Sequence, residues 1–76
     1  MKTTRISFGD VVRYGQKRDY DRTPSLSEAR KRMYEAARGY AIEDAVLFTD
    51  GTMVVSAHEI VDRKFATHYF VVEKDA

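Results

Sequence analysis

Val46-Leu47-Phe48-Thr49-Asp50-Gly51-Thr52-Met53-Val54-Val55 is apolar on both sides of an Asp-Gly pair, and a further apolar run, Tyr69-Phe70-Val71-Val72, follows it. Asp-Gly between apolar runs favours a type I′ hairpin, whose twist matches that of its flanking strands. Residues 45–49 and 52–56 are therefore expected to pair, with Phe48 opposite Met53, Leu47 opposite Val54 and Val46 opposite Val55. The second strand is expected to run to about Val61, with Asp62-Arg63-Lys64 turning the chain into a last strand over residues 65–73. That register sets His58 opposite His68 and Val55 opposite Val71. A short helical turn over residues 57–62 is the competing reading.

Side chains alternate across a strand, so register decides which residues share a face. One face gathers Val46, Phe48, Met53, Val55, Tyr69 and Val71. The other gathers Leu47, Val54, Ile60, Phe70 and Val72, with His58 and His68. Both are apolar, and a single helix covers only one. Large exposed apolar patches usually mark interaction sites. Leu47, Val54, Phe70, Val72, His58 and His68 are accordingly a candidate interface, either for another protein or for a homodimer. The alternative is that the N-terminal segment and the loop after it fold over this face.

The helix is opened by Pro24-Ser25-Leu26-Ser27-Glu28. Ser25 is suited to cap it, and Glu28 to complete a capping box. Leu26, Ala29, Met33, Ala36, Ala37 and Tyr40 recur at spacings of three and four, and Gly39 is the expected stop. Upstream, Ile6, Phe8, Val12 and Tyr14 share one parity and predict a strand over about residues 4–14, with Gly9-Asp10 as a bulge or a turn. Residues 15–23 read as a charged loop. The expected architecture is a single α+β domain over residues 1–76: two layers, with one helix on a mainly antiparallel sheet of about four strands in the order β-α-β-β-β.

Seventy-six residues suit one small domain. There is no cysteine to form disulfides or a thiolate metal site. No apolar run approaches the ~20 residues needed to span a bilayer, and the first residues lack a signal-peptide core. A soluble, cytoplasmic protein without membrane contact is expected. The net charge of +1 hides an asymmetry. Residues 1–38 hold ten Lys/Arg against five Asp/Glu, and residues 39–76 hold three against seven. Such asymmetry can orient a binder in a partner's field.

Chemistry-bearing constellations are sparse. A His58–His68 pair lacks a third ligand, because Glu59 points to the opposite face, so no metal or other cofactor is expected. Ser25 and Ser27 are explained by capping, and Ser56 two residues from His58 does not amount to an activated nucleophile. An enzyme is not expected. The strongest polar set is basic with one aromatic: Lys17, Arg18, Tyr20 and Arg22 in the loop, and Arg30, Lys31 and Arg32 on the helix. Arginines clamp phosphates and a tyrosine can stack on a base. The same residues also suit a protein surface.

The first strand, the helix opened by Ser25-Leu26-Ser27-Glu28-Ala29-Arg30-Lys31-Arg32, and the meander around Asp50-Gly51 together resemble small phage-encoded proteins, including several anti-CRISPR proteins. The resemblance is architectural and assigns no particular residue. It implies a non-enzymatic protein that acts in the host cytoplasm by binding a surface of a host defence protein or nucleoprotein complex. The expected function is therefore an inhibitory binding protein. The alternatives are an RNA- or DNA-binding accessory domain and a structural homodimer.

Overall fold

The computed structural model describes residues 2–61 and 66–74. Five strands, two helices and a 3-10 turn follow in the order β1 (Lys2–Ile6), α1 (Phe8–Gln16), β2 (Tyr20–Arg22), α2 (Leu26–Met33), the 3-10 turn (Tyr34–Ala37), β3 (Tyr40–Phe48), β4 (Met53–Glu59) and β5 (Thr67–Glu73). The strands form one antiparallel sheet in the order β1-β5-β4-β3-β2. The class is α+β as expected, with one strand and one helix more. The turn expected at Asp62-Arg63-Lys64, and the expected start of the last strand at Phe65, lie outside the described residues. β4 ends at Glu59, two residues short of the expected Val61.

The additional helix lies within the segment expected to be one bent strand. Ser7 has extended backbone, and its hydroxyl accepts from the Asp10 amide at 3.2 Å. The Asp10 carboxylate accepts from the Ser7 amide at 3.2 Å, completing a capping box. Arg13 pairs with the same carboxylate. Arg13, with the Ser7 donors, holds the Asp10 carboxyl below its usual range. Val11 and Tyr14, three apart, then turn to the sheet. The parity shared by Phe8, Val12 and Tyr14 misled, because a Ser-x-x-Asp start also licenses a helix.

The central hairpin forms with a different turn. Phe48 donates to the Thr52 carbonyl at 2.8 Å, and Gly51 donates to the Phe48 carbonyl at 3.0 Å. Gly51 has φ +89°, whereas Asp50 is not left-handed. This is a three-residue loop, Thr49-Asp50-Gly51, with glycine where a left-handed residue is required, rather than type I′. Leu47 therefore faces Met53 and Val46 faces Val54, one residue off the expected pairing. The next pairing is also displaced by one, so Ala57 faces His68 and His58 faces Thr67.

The two displacements cancel between β3 and β5, and only β4 is turned over. Leu47, Phe70 and Val72 share their face with Met53, Val55, Ala45 and Ala57, beneath Ala29, Met33 and Ala37 of α2 and the 3-10 turn. Val54 lies on the opposite face with Phe48 and Val71, beneath Val11 and Tyr14 of α1 and beside Ile6 and Val46. One helix thus covers each side. Leu47, Val54, Phe70 and Val72 are 2–7 % exposed and are core residues. Their grouping as one open face is corrected, because it assumed both the wrong register and a single helix.

Candidate functional site

Ser25 caps α2 by accepting from the Glu28 amide at 3.1 Å. The Glu28 carboxylate turns to the arginines instead of closing the box. Arg22 of β2 meets it through two hydrogen bonds of 2.8 Å, and Arg32 adds a third at 3.3 Å. Arg22, helped by Arg32, pulls the Glu28 carboxyl down to about 2. The folded value lies below the usual 4.5, so this bridge stabilises the fold above about pH 4.5 and loses its effect as pH falls towards 2. Glu28→Gln is expected to melt below the wild type at neutral pH. The gap should close between pH 4.5 and 2, as followed by thermal melts across that range. A constant gap would reject the bridge.

The helix is shorter than its apolar stripe implies. It ends at Met33, and Leu26 is 55 % exposed instead of buried. At Tyr34 the backbone turns to φ 54°, ψ −123°. That conformation is close to the first central position of a type II′ turn, which glycine normally occupies. For a tyrosine it costs on the order of 1–3 kcal/mol. Burial does not offset the cost, because the side chain is 78 % exposed.

Tyr34 lines two shallow grooves. One, of about 470 Å3, is lined by Thr3, Lys31, Arg32, Met33, Glu35 and Ala36. The other, of about 350 Å3, is lined by Arg30, Glu35, Ala37 and Arg38. Lys31 and Arg38 form no ion pair among the described residues, and Arg30 donates to the neutral Tyr40 carbonyl at 3.1 Å. Glu35 is the one carboxylate lining the grooves beside these three cations. The result is an exposed aromatic ring held in a strained turn among cations.

The structure divides the basic set expected from sequence between two sides. Arg22, Arg30, Lys31 and Arg32 lie on the α2 side, with Arg22 and Arg32 tied to Glu28. Lys17 and Arg18 lie at the end of α1, lining a pocket of about 280 Å3 with Asp10, Arg13 and Tyr14. Arg18 is held by Asp50 at 2.9 Å and sits 4.4 Å from the Tyr14 ring centre, where it fastens α1 to the hairpin turn. Tyr20 is exposed on β2, with its hydroxyl 3.0 Å from that of Thr23. The expected loop over residues 15–23 is therefore a helix end, a short connection and an edge strand.

His58 and His68 do not face each other. They sit on adjacent rungs and so point to opposite faces of the sheet. His58 lies 3.4 Å from Glu43, while His68 lies 2.6 Å from Arg5 and edge-on to Tyr40. No cluster of three or more His, Asp or Glu suited to a metal occurs among the described residues. No helix among them is long and apolar enough to cross a membrane.

Sequence reasoning missed Tyr34. Its position off the apolar stripe placed it among the helix's cations, but nothing in a Met-Tyr-Glu sequence marks a positive φ. The chain matches no protein-family model, no curated protein and no solved structure.

Proposed function

We propose that this is a non-enzymatic binding protein whose contact surface is the α2 side, centred on Tyr34 with Arg30, Lys31 and Arg38. One observation carries the proposal: a tyrosine that is 78 % exposed occupies a backbone conformation suited to glycine. Strain of this kind concentrates where function requires a side chain at a fixed place. The cations around the ring outnumber the single Glu35 carboxylate and add long-range attraction for an anionic partner. The architectural resemblance to small phage proteins supplies the finer reading. In it, the partner is a host protein or nucleoprotein complex, inhibited by occupation of its surface.

The test compares two variants in affinity capture from the native host's lysate, with and without nuclease. Lys31→Ala/Tyr34→Ala/Arg38→Ala should lose the captured partner while keeping a cooperative melt. Lys17→Ala/Tyr20→Ala, on the α1 side, should keep it. The reverse pattern would move the contact surface to α1. Capture unaffected by either variant would reject both surfaces.

A further inference from the structure

We infer that the ligand accepted at this surface is a single-stranded nucleic acid, with Tyr34 stacking on an unpaired base and Arg30, Lys31 and Arg38 meeting the flanking phosphates. This rests on the proposal that the α2 side is the contact surface.

Three observations converge on that chemistry. First, the Tyr34 ring is mostly exposed. A flat aromatic surface is matched by a nucleobase, and an aromatic platform accepts any base because each has a π-face. Second, the ring lines two grooves, of about 470 and 350 Å3, which hold Lys31 and Arg32, and Arg30 and Arg38, respectively, with Glu35 shared between them. A strand whose base rests on the ring carries a phosphate on both its 5′ and 3′ sides, so cations are needed on both sides. Lys31 serves one groove, and Arg30 with Arg38 serves the other. Third, Arg30, Lys31 and Arg38 form no ion pair among the described residues, with Glu35 the one carboxylate beside them, whereas Arg22 and Arg32 are held by Glu28. An acidic peptide would match the charge but leave the ring without a flat partner. Duplex bases are already stacked and cannot receive it. The cations and the ring read features common to RNA and DNA, so the site does not discriminate by sugar.

The experiment is fluorescence anisotropy with labelled 12-nucleotide oligo-dT and oligo-rU, a 12-base-pair duplex and a 12-residue polyglutamate peptide. Both single strands should bind, and the duplex and the peptide at least tenfold more weakly. Three phosphate contacts predict a slope of log affinity against log salt of roughly −2. Tyr34→Ala should weaken binding by about 5- to 150-fold without changing that slope. Tyr34→Phe should bind like the wild type. Tyr34→Gly should lose the same affinity while its Tm rises by a few degrees, because glycine relieves the turn. That variant separates loss of the ring from loss of the fold.

Wild-type affinity in Tyr34→Ala, equal affinity for duplex, tighter binding of polyglutamate, or no binding of either oligonucleotide would each overturn the inference. If nuclease-resistant protein capture is still lost in the Lys31/Tyr34/Arg38 variant, the contact surface stands and only the nucleic-acid assignment falls. If that capture is retained as well, both fall.

Discussion

Phe70→Ala is expected to cost about 3–5 kcal/mol, enough to leave much of a domain this small unfolded at room temperature. Phe70 is 6 % exposed. It packs edge-on to Tyr40, with ring centres 5.1 Å apart, and faces Val55 across the sheet. The cluster around it unites β3, β4, β5 and α2, so a void there is felt by four elements. Ala29 and Ala37, the smallest members of the facing helix and turn, have no side chain long enough to fill it. Urea melts would show the midpoint fall while the slope is kept. The contrasting outcome is a stability change within about 0.5 kcal/mol together with loss of self-association, as for a surface residue. That would restore Phe70 to an interface and overturn its place in the core.

Phe48→Ala should show a loss of similar size, about 3–5 kcal/mol, from the opposite side of the sheet. Phe48 is 7 % exposed, next to Val54 and Val71. Helix α1 has no fully buried residue of its own and is anchored by the partly buried Val11 and Tyr14. Removing the Phe48 ring takes away much of the apolar surface they rest on. Hydrogen exchange should therefore separate the two variants. In Phe48→Ala the amides of α1 should exchange well before those of β4. In Phe70→Ala the sheet and α2 should be lost together. Equal protection of α1 in both variants would show that α1 is not held by this cluster.

These two phenylalanines mark the limit of what patterning could establish. The apolar runs identified Phe48 and Phe70 as strand residues on opposite faces, and they are. Patterning also placed Met53 and Val55 with Phe48, and Val54 with Leu47, and both placements are inverted. One extra residue in a turn reverses the orientation of the following strand. Asp-Gly permits either a two-residue loop or the three-residue loop adopted here. The choice draws on the Arg18–Asp50 bridge and on the Thr49 amide, which donates to the Asp19 carbonyl at 2.9 Å. Both contacts come from a segment some thirty residues earlier.

The candidate site was legible in part for the same reason. Arg30, Lys31 and Arg32 were visible as a basic run on a helix. Which of them keeps a free charge was not, because Arg32 shares Glu28 with Arg22, which arrives from β2.

The sequence by itself determined what depends on near neighbours: an α+β class, a helix begun at Ser25, a left-handed glycine at 39 and at 51, and a hairpin that turns at Gly51. Caps, turns and alternation act over three or four residues, so their chemistry can be read along the chain. The Ser7-x-x-Asp10 box permits a helix over residues 8–16, but the tertiary structure decided for it over a strand, because Val11 and Tyr14 gain a sheet face to cover. It alone decided which face of β4 meets α2, and that Tyr34 holds a turn normally left to glycine. The first two of these outcomes turn on free energy supplied by residues distant in sequence.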